Sequence, residues 1–195
     1  MARTQAENYP EIRKEILRRS AALFAARGYP NATIADLAAA NGMSRGLLYH
    51  YFASKEAILS EMLHEHLDMM LAQLREAAAT GDTLEARFRS AVARMCVINA
   101  GSQDLQVVLL HDLQNLGDDD RAAIVEKQRA ILAVIGGLVA DLDAGRTPPD
   151  ARPAQTMMLI GMINYTYVWY DPEGPVGPEA YAAMVADTFL AGLGR

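Results

Sequence analysis

Twenty residues, Thr33 to Phe52, restrict this chain more than any other stretch. They read as two short helices, Ile34 to Ala40 and Ser44 to about Tyr51, meeting at the tight turn Asn41-Gly42. That is the spacing of a helix-turn-helix. Thr33, with Asp36 three residues on, forms a variant capping box for the first helix, and Ser44 is placed to cap the second. Gly42 permits the backbone angle that folds one helix across the other. Ile34, Leu37, Ala38, Met43 and Leu48 can share one small core, which leaves Arg45, Gly46, Tyr49 and His50 on the outer face. A surface of this kind, arginine among polar residues, suits a DNA major groove.

The remainder reads as helix throughout. Leu, Ala, Met, Glu and Arg dominate, period-2 alternation is absent, and breaks are few. Pro10 suits the opening turn of a first helix that Gly28 ends. Ser54 caps a long helix reaching about Ala79, and a fifth runs from Thr83 to about Ala100. A short sixth carries Leu105 to Leu113. The seventh opens on Asp118-Asp119-Asp120 and ends near Ala144. The eighth follows Pro153 to about Tyr170, and the ninth spans Pro178 to about Gly192. Nine helices and no strand are expected.

Charge divides the chain. Residues 1–55 hold eight Lys and Arg against four acids, a net of +4; the remainder holds ten against twenty, a net of −10, and together they make the overall −6. A basic head on an acidic body directs the head towards phosphate. The lone cysteine, Cys96, fits a reducing compartment. The first seven residues lack an apolar signal core, and no run approaches ~18 apolar residues. The sequence therefore points to a cytoplasmic protein without a membrane span.

The residues from Ile16 to Leu59 resemble the DNA-binding region of TetR-family repressors. Ala21-Ala22-Leu23-Phe24, Arg27-Gly28-Tyr29 and Thr33-Ile34 resemble that family's first-helix signature. Ser44-Arg45-Gly46, Leu48 to Phe52 and Ser54-Lys55-Glu56 resemble its recognition-helix signature. The resemblance implies an all-α, nine-helix fold. Residues 1–53 would be a three-helix helix-turn-helix domain, and residues 54–195 a helical ligand-binding and dimerisation domain. It also implies a homodimer on palindromic double-stranded operator DNA, released by a small-molecule effector. By the same resemblance Thr33 would touch a phosphate; Ser44, Arg45 and Gly46 would approach base edges. Tyr49 and His50 would contact the backbone and neighbouring bases, and Lys55 would bind phosphate. Leu47 departs from the small or hydroxylated residue usual there, and would either meet a thymine methyl or cover the groove edge. Tyr51 and Phe52 are expected to pack beneath the helix.

In the C-terminal half, Met157, Gly161, Tyr181, Val185, Thr188 and Phe189 fall on apolar helical stripes suited to a dimer interface. Met62, Met95, Met158 and Met162 could line an adaptable apolar cavity, oriented by Arg94, His111, Asn164 and Tyr165. The run Asn164 to Tyr170, with Pro172-Glu173-Gly174-Pro175 and Phe189 to Leu193, resembles TetR-type regulators of fatty-acid, steroid-ring and aromatic-acid breakdown. That resemblance implies an acyl-CoA effector. An enzyme finds no support: His64 and His66 diverge on one helix, Cys96 lies among apolar residues, and no phosphate-loop or zincin pattern occurs. No cofactor or metal is expected. The alternative is a helical small-molecule carrier or sensor without DNA binding.

Overall fold

The computed structural model describes residues 8–193. Among them the chain forms nine α-helices and no strand. These are α1 (Tyr9–Arg27), α2 (Ile34–Ala40), α3 (Arg45–Tyr51), α4 (Lys55–Ala79), α5 (Leu84–Ala100), α6 (Gln103–His111), α7 (Asp118–Asp143), α8 (Arg152–Asn164) and α9 (Pro178–Gly192). The all-helical expectation holds. By packing, the described chain divides into two units. One takes the residues up to His66 with Asp104–Ile124; the other takes Leu67–Gln103 and the residues from Val125 on. The helices α4 and α7 each begin in the first unit and continue in the second.

In the first unit, Pro10 starts α1, and Gly28 at φ +77° ends it, donating its N–H to Phe24 O at 2.7 Å. An L side chain rarely adopts such an angle, so glycine sets this boundary. The core joins Ile16, Phe24, Leu37, Leu48, Ile58 and Leu59, all at 1% exposure or less. Each deep side chain there contributes about 1.5–3 kcal/mol relative to leaving it in water.

The second unit is held chiefly by α5 against α9. Phe88 stacks on Phe189 at 5.8 Å between centroids, and Val92, Ala182, Val185 and Ala186 fill the seam. Arg89 closes its edge on Asp187 at 2.7 Å. Leu159, Ile160 and Ile163 of α8 are buried in the same unit. The end of α7 is tied by Asp143, whose carboxylate accepts from Thr147 N at 2.7 Å and Thr147 Oγ1 at 2.8 Å.

The sequence places the end of the eighth helix near Tyr170; the structure ends it at Asn164, followed by a 3-10 turn over Tyr165–Val168. Two side chains account for the stop. Thr166 Oγ1 and Asn99 Nδ2 both donate to Ile163 O, at 2.8 and 3.4 Å, and occupy a carbonyl that a continuing helix would need. A run of aromatic and β-branched residues, weak helix formers, offers little resistance to the tightening.

Candidate nucleic-acid interface

The local chemistry that sets α2 and α3 follows the sequence closely. Thr33 Oγ1 accepts from Asp36 N at 3.1 Å, while Asp36 Oδ2 accepts from Thr33 N at 2.9 Å. Donation from the Thr33 hydroxyl and N–H, with Arg27 nearby, holds the Asp36 carboxyl below its ordinary range. Ser44 Oγ accepts from Leu47 N at 3.1 Å and starts α3. Gly42, at φ +66°, turns the chain between the two helices.

On α3, Leu48 is fully buried and Phe52 nearly so, and they anchor the helix from below. Ser44, Arg45, Gly46, Leu47, Tyr49 and His50 are all exposed, as is Thr33 at the start of α2. Leu47 and Tyr49 keep 44% and 52% of their surface in solvent, more than packing would leave to an ordinary leucine and tyrosine. Among the described residues Arg45 makes no ion pair, whereas Arg18, Arg19 and Arg27 are engaged by Glu15 and Asp36. A Cβ on Gly46 would meet only the Ser44 hydroxyl, at 3.9 Å. Internal packing does not require glycine there, so the missing side chain matters only to something approaching from outside. From α1, Tyr9 stacks on Tyr51 at 4.8 Å and meets His50 edge-on at 6.2 Å, bracing the end of α3. The sequence did not single out Tyr9, because nothing local links it to α3.

Lys55 corrects an expectation. Its ammonium donates to Tyr29 O at 2.8 Å and Ala32 O at 2.9 Å, and lies 4.0 Å from the Tyr29 ring centroid. It faces the protein, where the Tyr29 carbonyl, which also accepts the Ala32 N–H at 3.3 Å, keeps a second lone pair for the ammonium. The ammonium expected to bind phosphate is thus engaged by the protein's own backbone.

The residues expected to bind a ligand are divided between the two units. In the first unit Met62 is buried and His111 exposed. In the second, Met95 is buried and Met162 half-buried, while Arg94 is exposed. Asn164 accepts from Asn99 Nδ2 at 3.0 Å. Met158 and Tyr165, expected to line a cavity, lie outside at 69% and 60% exposure. The pairing stripe is also corrected. Val185 and Phe189 belong to the core of the second unit, and Tyr181 donates its hydroxyl to Met162 O at 2.6 Å. Met157, Gly161 and Thr188 are exposed as expected, joined by Met158, Tyr165, Val168, Trp169 and Met184, each more than half exposed. Two buried polar side chains outside the predicted sites stand out. His66 and Gln106 of the first unit are 4% and 7% exposed, and neither imidazole nitrogen nor the amide finds a hydrogen-bond partner among the described residues. Burial lowers the His66 pKa to about 4, and raises that of Cys96 to about 12, which makes this thiol unreactive.

Among the described residues, a helix-turn-helix whose second helix turns Arg45, Tyr49 and His50 to solvent, with helices as the only other regular elements, is the architecture of a DNA-binding transcriptional regulator. Residues 16–62 match the family model for bacterial regulatory proteins of the tetR family, and residues 81–193 match the tetracyclin repressor-like C-terminal domain. The chain belongs to the tetR family; it is a DNA-binding transcriptional repressor and not an enzyme. It is 30% identical over 188 residues to the transcriptional repressor KstR2 of Mycobacterium tuberculosis, covering 93% of this chain and 92% of that one. A TetR-family regulator from Bordetella parapertussis superposes with a TM-score of 0.88 at 38% identity, over 92% of this chain and 94% of that one. AibR, solved with isovaleryl coenzyme A and operator DNA, shares the fold at a TM-score of 0.77 and 21% identity, over 91% and 97% of the two chains. Among the described residues no helix is long and apolar enough to cross a membrane.

Proposed function

We propose that residues 1–53 read a two-fold-symmetric operator and that residues 54–195 pair two chains and bind the effector that releases DNA. The observation that carries the reading is the outward face of α3, where Arg45, Gly46, Leu47, Tyr49 and His50 stay exposed above a fully buried Leu48. In this reading Arg45 donates a bidentate pair to guanine O6 and N7, while Ser44 and the flat surface at Gly46 let the helix approach base edges. Thr33, Tyr49 and His50 fix the register on phosphates and sugars, and Leu47 covers an apolar base edge.

A homodimer follows from the operator, since half-sites about 34–36 Å apart need two recognition helices. The apolar surface of Met157, Met158, Gly161, Tyr165, Trp169 and Met184 is its proposed seam; contiguous exposed patches of this kind mark interaction sites. For the effector we propose an acyl-CoA thioester. AibR, crystallised with isovaleryl coenzyme A, and the ketosteroid regulator KstR2 support that class. So do the unsatisfied buried groups of His66 and Gln106, since such groups cost about 1–3 kcal/mol each unless something answers them.

Arg45→Ala is expected to weaken operator binding about 10- to 100-fold, the loss of one bidentate base contact, with the fold unchanged. Gel shifts of wild type, Arg45→Ala and Tyr49→Ala on the same duplex test it. Equal affinities would remove α3 from the interface.

A further inference from the structure

Three segments of the first unit, distant in sequence, meet in a closed polar junction. They are the turn Tyr29–Asn31 ahead of α2, the first turn of α4, and the connection from α6 to α7. Lys55 of α4 holds the Tyr29 and Ala32 carbonyls, at 2.8 and 2.9 Å. Asp112, just past α6 and 4% exposed, accepts the Tyr29 N–H on both oxygens, at 3.2 and 3.3 Å. Asp112 is itself steadied by Asn115 Nδ2 at 3.3 Å. Glu56, next to Lys55, accepts the Gly117 N–H at 2.9 Å, directly ahead of α7. Tyr29 is thus fixed at its N–H, its carbonyl and its ring, which also packs on Phe24 at 5.2 Å.

We infer that Lys55 and Asp112 are positioning residues for operator binding, which strap the entry to α2 onto α4 and onto the α6–α7 connection. The turn they hold runs directly into Thr33, the cap of α2, and α2 carries α3. With four residues between Tyr29 and Ile34 and three bonds on the turn, α2 has little freedom to tilt independently of its anchors. Charge-assisted bonds are about twice as strong as neutral ones, and both straps are of that kind. A displacement of the end of α6 therefore pulls on Tyr29, and through it on the helices that face DNA. The straps hold the head to α4 and to the α6–α7 connection within the first unit, without either residue touching DNA. This inference rests on the operator reading of α3.

Salt dependence separates positioning from contact. A side chain that neutralises a phosphate contributes about 0.9 to the slope of log affinity against log salt; one that only positions the head contributes none. The full chain and its Lys55→Met, Lys55→Arg, Asp112→Ala and Asp112→Asn variants are titrated onto one duplex across a sodium chloride series, well below each Tm. Lys55→Met and Asp112→Ala are expected to bind about tenfold more weakly with the wild-type salt slope, the loss of one charged hydrogen bond. Lys55→Arg still donates and Asp112→Asn still accepts, so both should restore most of the affinity. The double variant Lys55→Met/Asp112→Ala should lose less than the two single losses combined, because both act through Tyr29. If Lys55→Met does not fold, the contrast between Asp112→Ala and Asp112→Asn carries the test. Unchanged affinity in the two disruptive variants overturns the junction, as does a salt slope reduced by about one in Lys55→Met. Wild-type protein that binds no duplex in a salt-dependent way sinks the operator reading itself, and the junction with it.

Discussion

Replacing Met158 with glutamate is expected to halve the solution mass of the protein and to lower operator affinity by about 100-fold or more. Met158 is 69% exposed, and Met157, Tyr165, Trp169 and Met184 of the proposed seam are each more than half exposed. Each such side chain, once covered, contributes about 1.5–3 kcal/mol. A carboxylate there would have to be buried without a partner, at a cost of several kcal/mol. In a two-fold interface every substitution occurs twice, so the penalty doubles. The separated chain keeps its recognition helix but loses the second half-site, and linked sites gain about 10²–10⁴ over either alone. Sedimentation and gel shift on the same preparation read both effects. A variant that remains paired places the seam elsewhere.

The second large effect is acid sensitivity carried by one histidine. His66 is buried with no hydrogen-bond partner among the described residues, and its pKa is lowered to about 4 by burial alone. In the unfolded chain the same imidazole titrates near 6.5. Above that pH both states are neutral at this position and nothing is lost. As pH falls below it, the unfolded state takes up a proton that the native state refuses until about pH 4. The unfolded state binds more protons throughout that window, so stability declines as pH decreases, by about 3 kcal/mol in all. His66→Leu removes the titration. The difference in urea-unfolding free energy between wild type and His66→Leu should be flat above pH 6.5 and shift in favour of the variant down to pH 4. A difference independent of pH would mean that His66 is charged or solvated in the native state.

What the sequence made legible was what is encoded locally. The capping box at Thr33 and Asp36, the Ser44 cap, the turn at Gly42 and the stop at Gly28 each depend on residues within four positions, and each is present in the structure. The boundaries of α2 and the outward placement of Arg45, Tyr49 and His50 followed from them. What misled was geometry across the chain. Periodicity marks apolar stripes on α9 but not which stripe meets α5. Val185 and Phe189 proved to be core, while Met184 and Thr188, one position away on the helix, face outward. Lys55 read as a surface cation because its partners, Tyr29 O and Ala32 O, lie 26 and 23 residues earlier. The early end of α8 depends on Asn99, more than sixty residues back. His66 carried no signal either, since a histidine among methionines and leucines looks the same whether its nitrogens are satisfied or not.

The central claim is that α3 reads sequence in a DNA duplex, twice over. Selection of bound duplexes from a random pool by the full chain tests it most directly. A two-fold-symmetric consensus is expected, with half-site centres one helical turn of DNA or a multiple of it apart, and Arg45→Ala should relax one guanine position in each half. Enrichment of no sequence, or the same consensus from wild type and Arg45→Ala, would contradict it.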